Sequence, residues 1–180
     1  RLDHDEAGQL EQKHDLPLGG LFSALYEVPE WRELSLGRGS EREWLKAVLA
    51  RLYELAGRPI PGIRQEWPKI WRGLNEDVVS LARSLRSRYK VGLLSNATKD
   101  LEEMLLEHHG ITDLFDAIIN SARVGLAKPD VRIFHLAAER LGVTLQRFPG
   151  DHGGFLGGEY GQAGEPDAFA AKLREVLAEG

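Results

Sequence analysis

Two groupings in the chain carry residue types that point to chemistry, Ser95-Asn96 and Lys128-Pro129-Asp130. Ser95-Asn96 follows directly on Val91-Gly92-Leu93-Leu94, an apolar run that reads as a short strand buried on both faces. In open parallel sheets, ligands bind at the carboxyl ends of the strands. A hydroxyl, an amide and the backbone N–H groups that open the next helix can hold a phosphate or a carboxylate there. The same residues also suit a plain structural role, with Asn96 or Thr98 capping the following helix. Lys128 stands in a loop just ahead of a helix. A lysine beside an anionic site neutralises nucleophile and substrate charge together. Taken alone, Lys128-Pro129 reads as an exposed lysine with the proline of a helix start. His108-His109 are adjacent at a helix end, where sequence neighbours do not share a face, so they do not read as a zinc pair. The chain has no cysteine, which excludes disulfides, thiolate zinc sites, Fe–S clusters and a cysteine nucleophile.

A sheet must position those groups, and the pattern after Gly73 supplies one. Asn75 can cap a helix carrying Val78, Val79, Leu81, Ala82 and Leu85. Val91 to Leu94 is a strand, and Lys99 to His109 is a helix closed by Gly110. Ala117-Ile118-Ile119 is a second short strand, and Val131 to Leu141 is a helix ended by Gly142. Strand and helix in alternation imply a parallel sheet with helical crossovers.

The first 75 residues read as helices with short breaks. Asp5 to His14 is polar and helix-permissive, and Leu18 to Tyr26 places Leu18, Leu21, Phe22 and Leu25 on one helical face. Ser40-Glu41-Arg42-Glu43 has the form of a capping box. It opens the clearest amphipathic helix, with Trp44, Leu45, Val48, Leu49, Leu52 and Leu55 recurring before Gly57. Trp67, Ile70 and Trp71 suggest one more short helix, opened by Pro68. Trp67 and Trp71 read as core, with a pocket-lining role as the alternative. From Gly150 to Gly164 seven of fifteen residues are glycine, so this stretch reads as a loop, and Asp167 to Ala178 as a final helix. The expected organisation is a helical unit at 1–74, an α/β unit at 75–149, and a glycine-rich loop with a terminal helix at 150–180.

The 180 residues suffice for a core without a metal or disulfide. Lys and Arg total 23 against 28 Asp and Glu, a net charge of −5, which argues against a general nucleic-acid binder. No apolar run approaches a membrane span, and the charged opening Arg1-Leu2-Asp3-His4 is not a signal peptide, so a cytoplasmic protein is expected.

Leu93 to Thr98 (LLSNAT) together with Asp113 to Val143 (DLFDAIINSARVGLAKPDVRIFHLAAERLGV) closely resembles the haloacid dehalogenase-like (HAD) hydrolase superfamily. The resemblance covers roughly residues 1–145. It implies an α/β, Rossmann-like parallel sheet with a small helical cap. Ser95 matches the family's second motif, with Asn96 beside it, and Lys128 matches the third. The implied substrate is a small anion, a phosphate ester or a haloacid, bound by Ser95, Asn96 and Lys128, with Lys128 also catalytic. The family's first motif, an apolar strand ending in a nucleophilic aspartate, has no counterpart here. Asp3 and Asp5 lack both the preceding strand and the following glycine, and read as linker residues. The resemblance therefore implies a hydrolase body that is catalytically incomplete in this chain. Gly150-Asp151 falls near the fourth motif, which makes Asp151 a candidate catalytic residue and Mg²⁺ ligand; magnesium is implied only for the phosphatase type.

Two alternatives stay open. A body without its first strand is a non-catalytic anion binder, or associates with a second copy as a homodimer through its exposed strand edges. The tail from Arg147 to Gly180, with Gly150-Asp151-His152-Gly153-Gly154 ahead of a terminal helix, looks like the end of an α/β-hydrolase, with His152 in the place of the catalytic histidine. No Gly-x-Ser-x-Gly turn accompanies it. His152 as a solvent-facing loop imidazole is the other reading.

Overall fold

The structure, a computed structural model, describes residues 3–70 and 73–144. Asp151, His152, Trp71 and the expected terminal helix lie outside these residues.

The chain opens with α1 (His4–Lys13), α2 (Gly20–Tyr26) and α3 (Pro29–Ser35). Asp3 is the N-cap of α1, its carboxylate accepting the Glu6 N–H at 3.0 Å. Its backbone N–H donates to the Ile70 carbonyl at 2.6 Å, tying the start of this unit to its end. The expected helix over Leu18–Tyr26 begins two residues late. Leu18 stands ahead of it, 95% exposed, and Phe22 is also exposed, so the buried stripe is Leu21, Ala24 and Leu25.

Glu11 explains the late start. This carboxylate is buried and accepts the backbone N–H groups of Gly19 and Leu21 at 3.0 and 2.9 Å. A helix start leaves such donors without intrahelical partners, and here a side chain from α1 satisfies two of them. Glu11→Ala would leave the buried Leu21 N–H unpaired. We expect a loss of about 2 kcal/mol, the scale of a hydrogen bond to a charged group, measured as a lower urea midpoint at unchanged m-value.

The longest helix, α4 (Glu41–Ala56), starts as the sequence predicts. The Ser40 hydroxyl oxygen accepts the Glu43 N–H at 3.3 Å and donates to the Glu43 carboxylate at 2.7 Å. Gly57 ends it in the left-handed conformation. Then α5 (Ile63–Glu66) runs into a 3₁₀ turn, Trp67–Ile70. The turn continues α5 and does not begin at Pro68 as a separate helix. Trp67 and Ile70 are buried with Leu10, Leu21, Leu25, Val48, Leu52 and Ile63 in one core. Phe22, Tyr26, Trp31, Trp44 and Trp67 form a continuous run of ring contacts, with centroids 4.8 to 6.5 Å apart. Trp67 is core, as expected.

The second half builds the sheet. Asn75 caps α6 (Glu76–Leu85), accepting the Val78 N–H at 3.3 Å. Strand β1 (Gly92–Ser95) leads to a short helix, α7 (Leu101–Met104), which widens into a π-helical turn at Leu105–His109 and closes at the left-handed Gly110. Strand β2 (Ala117–Asn120) follows, then α8 (Ser121–Val124) and α9 (Val131–Leu141), ended by Gly142. The strands are parallel, with Gly92 opposite Ala117 and Ser95 opposite Asn120.

The mixed α/β class with a parallel sheet is as expected. The burial of β1 is not. Gly92 is exposed and Leu93 to Ser95 are half-buried, so the faces of β1 are only partly covered among the described residues. At β2 Ile119 and Asn120 are fully buried. Asp116 braces the entry to both strands: its carboxylate accepts the Val91 N–H at 2.8 Å and faces Lys90 and Arg86. No helix among the described residues is long and apolar enough to cross a membrane.

Candidate active site at the carboxyl ends of the strands

Three of the sequence-derived candidates come together at one end of the sheet. Ser95 is the last residue of β1 and Asn96 the next. The loop bearing Lys128 crosses beside them. The Asn96 side chain grips the Lys128 backbone at both ends of its amide. Nδ2 donates to the Lys128 carbonyl at 3.0 Å, and Oδ1 accepts the Lys128 N–H at 2.8 Å. Neither Asn96 nor Thr98 caps α7. Thr98 donates its hydroxyl to the Asp100 carboxylate, and Asp100 occupies the cap position.

The clasp sets the Lys128 side chain at the end of β1, where Nζ donates to the Leu94 carbonyl at 3.2 Å. Lys128 has no carboxylate partner among the described residues. Burial pulls its pKa below the ordinary lysine value, because a half-buried ammonium loses hydration without gaining a counter-charge. An anion arriving here would supply that charge. The Ser95 hydroxyl makes no hydrogen bond among the described residues. Since none of them leaves a buried side-chain N or O atom unpaired, this hydroxyl reaches solvent.

The structure adds two residues that the sequence reading passed over. Asn120 and Ser121 stand at the end of β2, 1% and 0% exposed. The Ser121 hydroxyl oxygen accepts the Ala97 N–H at 3.0 Å and donates to the Ala97 carbonyl at 3.3 Å. Asn120 Nδ2 donates to the Thr98 carbonyl and to Glu102 Oε2, both at 2.8 Å, while its Oδ1 accepts the Ala122 N–H at 3.0 Å. Glu102 is in turn ion-paired with Arg123 at 3.0 Å. Burial pushes the Glu102 carboxyl up, but the hydrogen bonds from Asn120, from its own backbone N–H and from Arg123 outweigh that, and the net pKa is lowered. The signal was in the sequence. Asn120-Ser121 is a polar pair directly after an apolar strand, as Ser95-Asn96 is.

The first half of the chain meets this end of the sheet at the turn that follows α3 and at α3 itself, which packs on α8. An atom placed as a Cβ on Gly37 would lie 2.1 Å from the Ala122 carbonyl oxygen and 3.1 Å from Lys99 Cε. Gly37 also has φ +75°, so its lack of a side chain is required twice over.

Asp130, next after Lys128-Pro129, caps α9 and grips Arg132, whose guanidinium and backbone N–H hold its carboxyl down at about 2. It is a structural cap. Among the described residues, no three or more His, Cys, Asp or Glu side chains gather in a way that could hold a metal ion. The strand ends present hydroxyls and amides, and Glu102 is committed to Asn120 and Arg123. The described residues therefore do not fit a magnesium ion.

Residues 28–148 match the haloacid dehalogenase-like hydrolase family. Over 64 residues the chain is 39% identical to pyrimidine 5′-nucleotidase YjjG of Escherichia coli, a stretch covering 36% of this chain and 28% of that protein. Over 116 residues it is 32% identical to haloacid dehalogenase-like hydrolase domain-containing protein 3 of Mus musculus, covering 58% and 46%. The chain spans less than half the length of these two relatives. A haloacid dehalogenase family enzyme of Bacteroides thetaiotaomicron, solved as a mutant with magnesium and inorganic phosphate, superposes with a TM-score of 0.54. That likeness, at 19% identity over 79% of this chain and 73% of the other, concerns the fold. With two-thirds of its length inside the family match, the chain belongs to the haloacid dehalogenase-like hydrolases.

Proposed function

We propose that the chain binds a small phosphate-type anion at the carboxyl ends of β1 and β2, and that these 180 residues hold it without turning it over. One contrast carries the reading. Asn96 is committed through its own amide to the Lys128 backbone, and Ala97 and Thr98 are held by the Ser121 and Asn120 side chains, whereas the Ser95 hydroxyl makes no hydrogen bond among the described residues. In this reading Ser95 and Lys128 contact the anion, Asn96 holds Lys128 in place, and residues 1–74 act as the helical cap. A phosphate ester is favoured over a haloacid because the Escherichia coli relative is a nucleotidase. The site offers charge stabilisation and positioning. No covalent step is assigned to the described residues. Magnesium and Asp151 belong to the phosphatase form of this proposal, and no step is assigned to them.

Thermal unfolding followed by circular dichroism, with and without vanadate plus Mg²⁺, tests the binding. An anion bound only by the folded state adds about 2.7 kcal/mol at 100 times its Kd, roughly 5–10 °C in Tm for a chain of this size. A cooperative melt that does not move sinks the anion site. Release of p-nitrophenol from its phosphate ester above the buffer rate would overturn the catalytic incompleteness.

Self-association is a second reading, favoured by β1 having β2 as its one strand neighbour among the described residues. An open edge is a template for another strand. It requires a Tm that rises with protein concentration; a concentration-independent melt rejects it.

A further inference from the structure

We infer that Asn120 and Ser121 are positioning residues for the anion site: they hold the loop after β1 in the geometry that presents Ser95. The inference rests on the reading that this end of the sheet binds a phosphate-type anion.

Register explains the arrangement. Ser95 pairs with Asn120, so the two strands end side by side and their first polar residues meet. A loop leaving a strand end would ordinarily have its backbone groups satisfied by water. Here Ala97 has both its N–H and its carbonyl taken by the Ser121 hydroxyl, and the Thr98 carbonyl is taken by Asn120. Asn120 cannot swing away, because Glu102 holds the same Nδ2 and the Ala122 N–H holds Oδ1. Arg123 in turn anchors Glu102. The loop is thus gripped from the Lys128 side at Asn96 and from the β2 side at Ala97 and Thr98. A loop held this way needs no ordering when the anion arrives, which removes an entropic cost of binding. The Ala97 N–H is also withdrawn from the ligand. The anion is left to the Ser95 hydroxyl and Lys128.

The test compares Ser121→Ala, Ser121→Thr and Asn120→Asp with the parent chain, using inorganic phosphate by titration calorimetry below every variant's Tm. Amide hydrogen exchange over residues 94–104 is followed in parallel. In Ser121→Ala the loop should exchange faster while α4 does not, and the Kd for phosphate should rise about tenfold, one charge-independent hydrogen-bonding unit of 1.4 kcal/mol. Asn120→Asp replaces a donor by an acceptor facing the Thr98 carbonyl and Glu102, and should weaken binding at least as much. Ser121→Thr keeps the hydroxyl and should return the Kd to within about twofold of the parent. A purely structural pair would lower Tm yet leave the Kd of the folded variants unchanged, and that result overturns the inference while the anion site stands. A folded Ser121→Thr chain as weak as Ser121→Ala also overturns it. A parent chain that binds no phosphate overturns the functional reading itself, and the positioning role with it.

Discussion

Lys128→Met is expected to raise the Kd for inorganic phosphate by roughly 10–150-fold without destabilising the fold. The binding loss follows from geometry. Lys128 is held at the end of β1 by the Asn96 clasp, with Nζ on the Leu94 carbonyl and no carboxylate partner among the described residues. Its remaining N–H groups are free for an anion. A hydrogen bond to a charged group is worth about 1.5–3 kcal/mol, which gives that range of Kd. Stability moves the other way. The folded-state pKa of Lys128 lies below the ordinary lysine value because burial disfavours the ammonium. The folded state therefore binds fewer protons than the unfolded state between the two values, and stability rises with pH through that window. Below it the ammonium is a net cost, which methionine relieves while keeping the buried stem. Calorimetry and a urea melt on one sample measure both effects. A variant that binds phosphate as the parent does would remove Lys128 from the site. The parent carries a pH signature as well. Its affinity for sulfate, whose charge is constant, should fall as pH rises through the lowered lysine pKa, and the variant should show no such fall.

Much of this arrangement was legible where local chemistry punctuates the chain. Ser40 and Asn75 stand as N-caps, and Gly57, Gly110 and Gly142 end helices in the left-handed conformation, as their residue types require. The strand–helix alternation pointed to the parallel sheet, and the structure brings Ser95, Asn96 and Lys128 to one end of it. What stayed hidden depends on partners distant in sequence. Asn96 looked like a ligand contact or a cap, but its amide meets a backbone 32 residues on. Glu11 looked like one more polar residue on α1. Only the return of the chain at Gly19 to Leu21 makes it a buried acceptor. The β1 run looked fully buried because its composition is apolar, and composition does not say what will cover a strand's two faces.

Gly37→Ala should be strongly disruptive although it lies outside the buried apolar core, lowering stability by about 3 kcal/mol and Tm by roughly 6–12 °C. Two terms add. A side chain at φ +75° costs about 1–2 kcal/mol, as any L residue does in the left-handed region. A methyl group 2.1 Å from the Ala122 carbonyl oxygen must then push the turn off the sheet, at about 1–3 kcal/mol for an overpacked contact. Gly57→Ala separates the terms. Gly57 has φ +67° and nothing within 4 Å of an added Cβ, so it should show the conformational term alone, about 1 kcal/mol. The difference between the two variants, read from paired urea titrations, measures the seam between the helices of the first half and the carboxyl end of β2. Equal losses would mean that the turn yields without effort and that only its left-handed conformation calls for glycine at position 37. A larger loss at Gly37 would mean that the helical unit rests directly on the residue that follows Asn120 and Ser121. Displacing that turn would then disturb Ala122, whose N–H holds Asn120 Oδ1, and so reach the loop that carries Ser95. Weaker phosphate binding in Gly37→Ala but not in Gly57→Ala is the expected consequence, and it would tie the packing of the helical unit to the geometry of the proposed site.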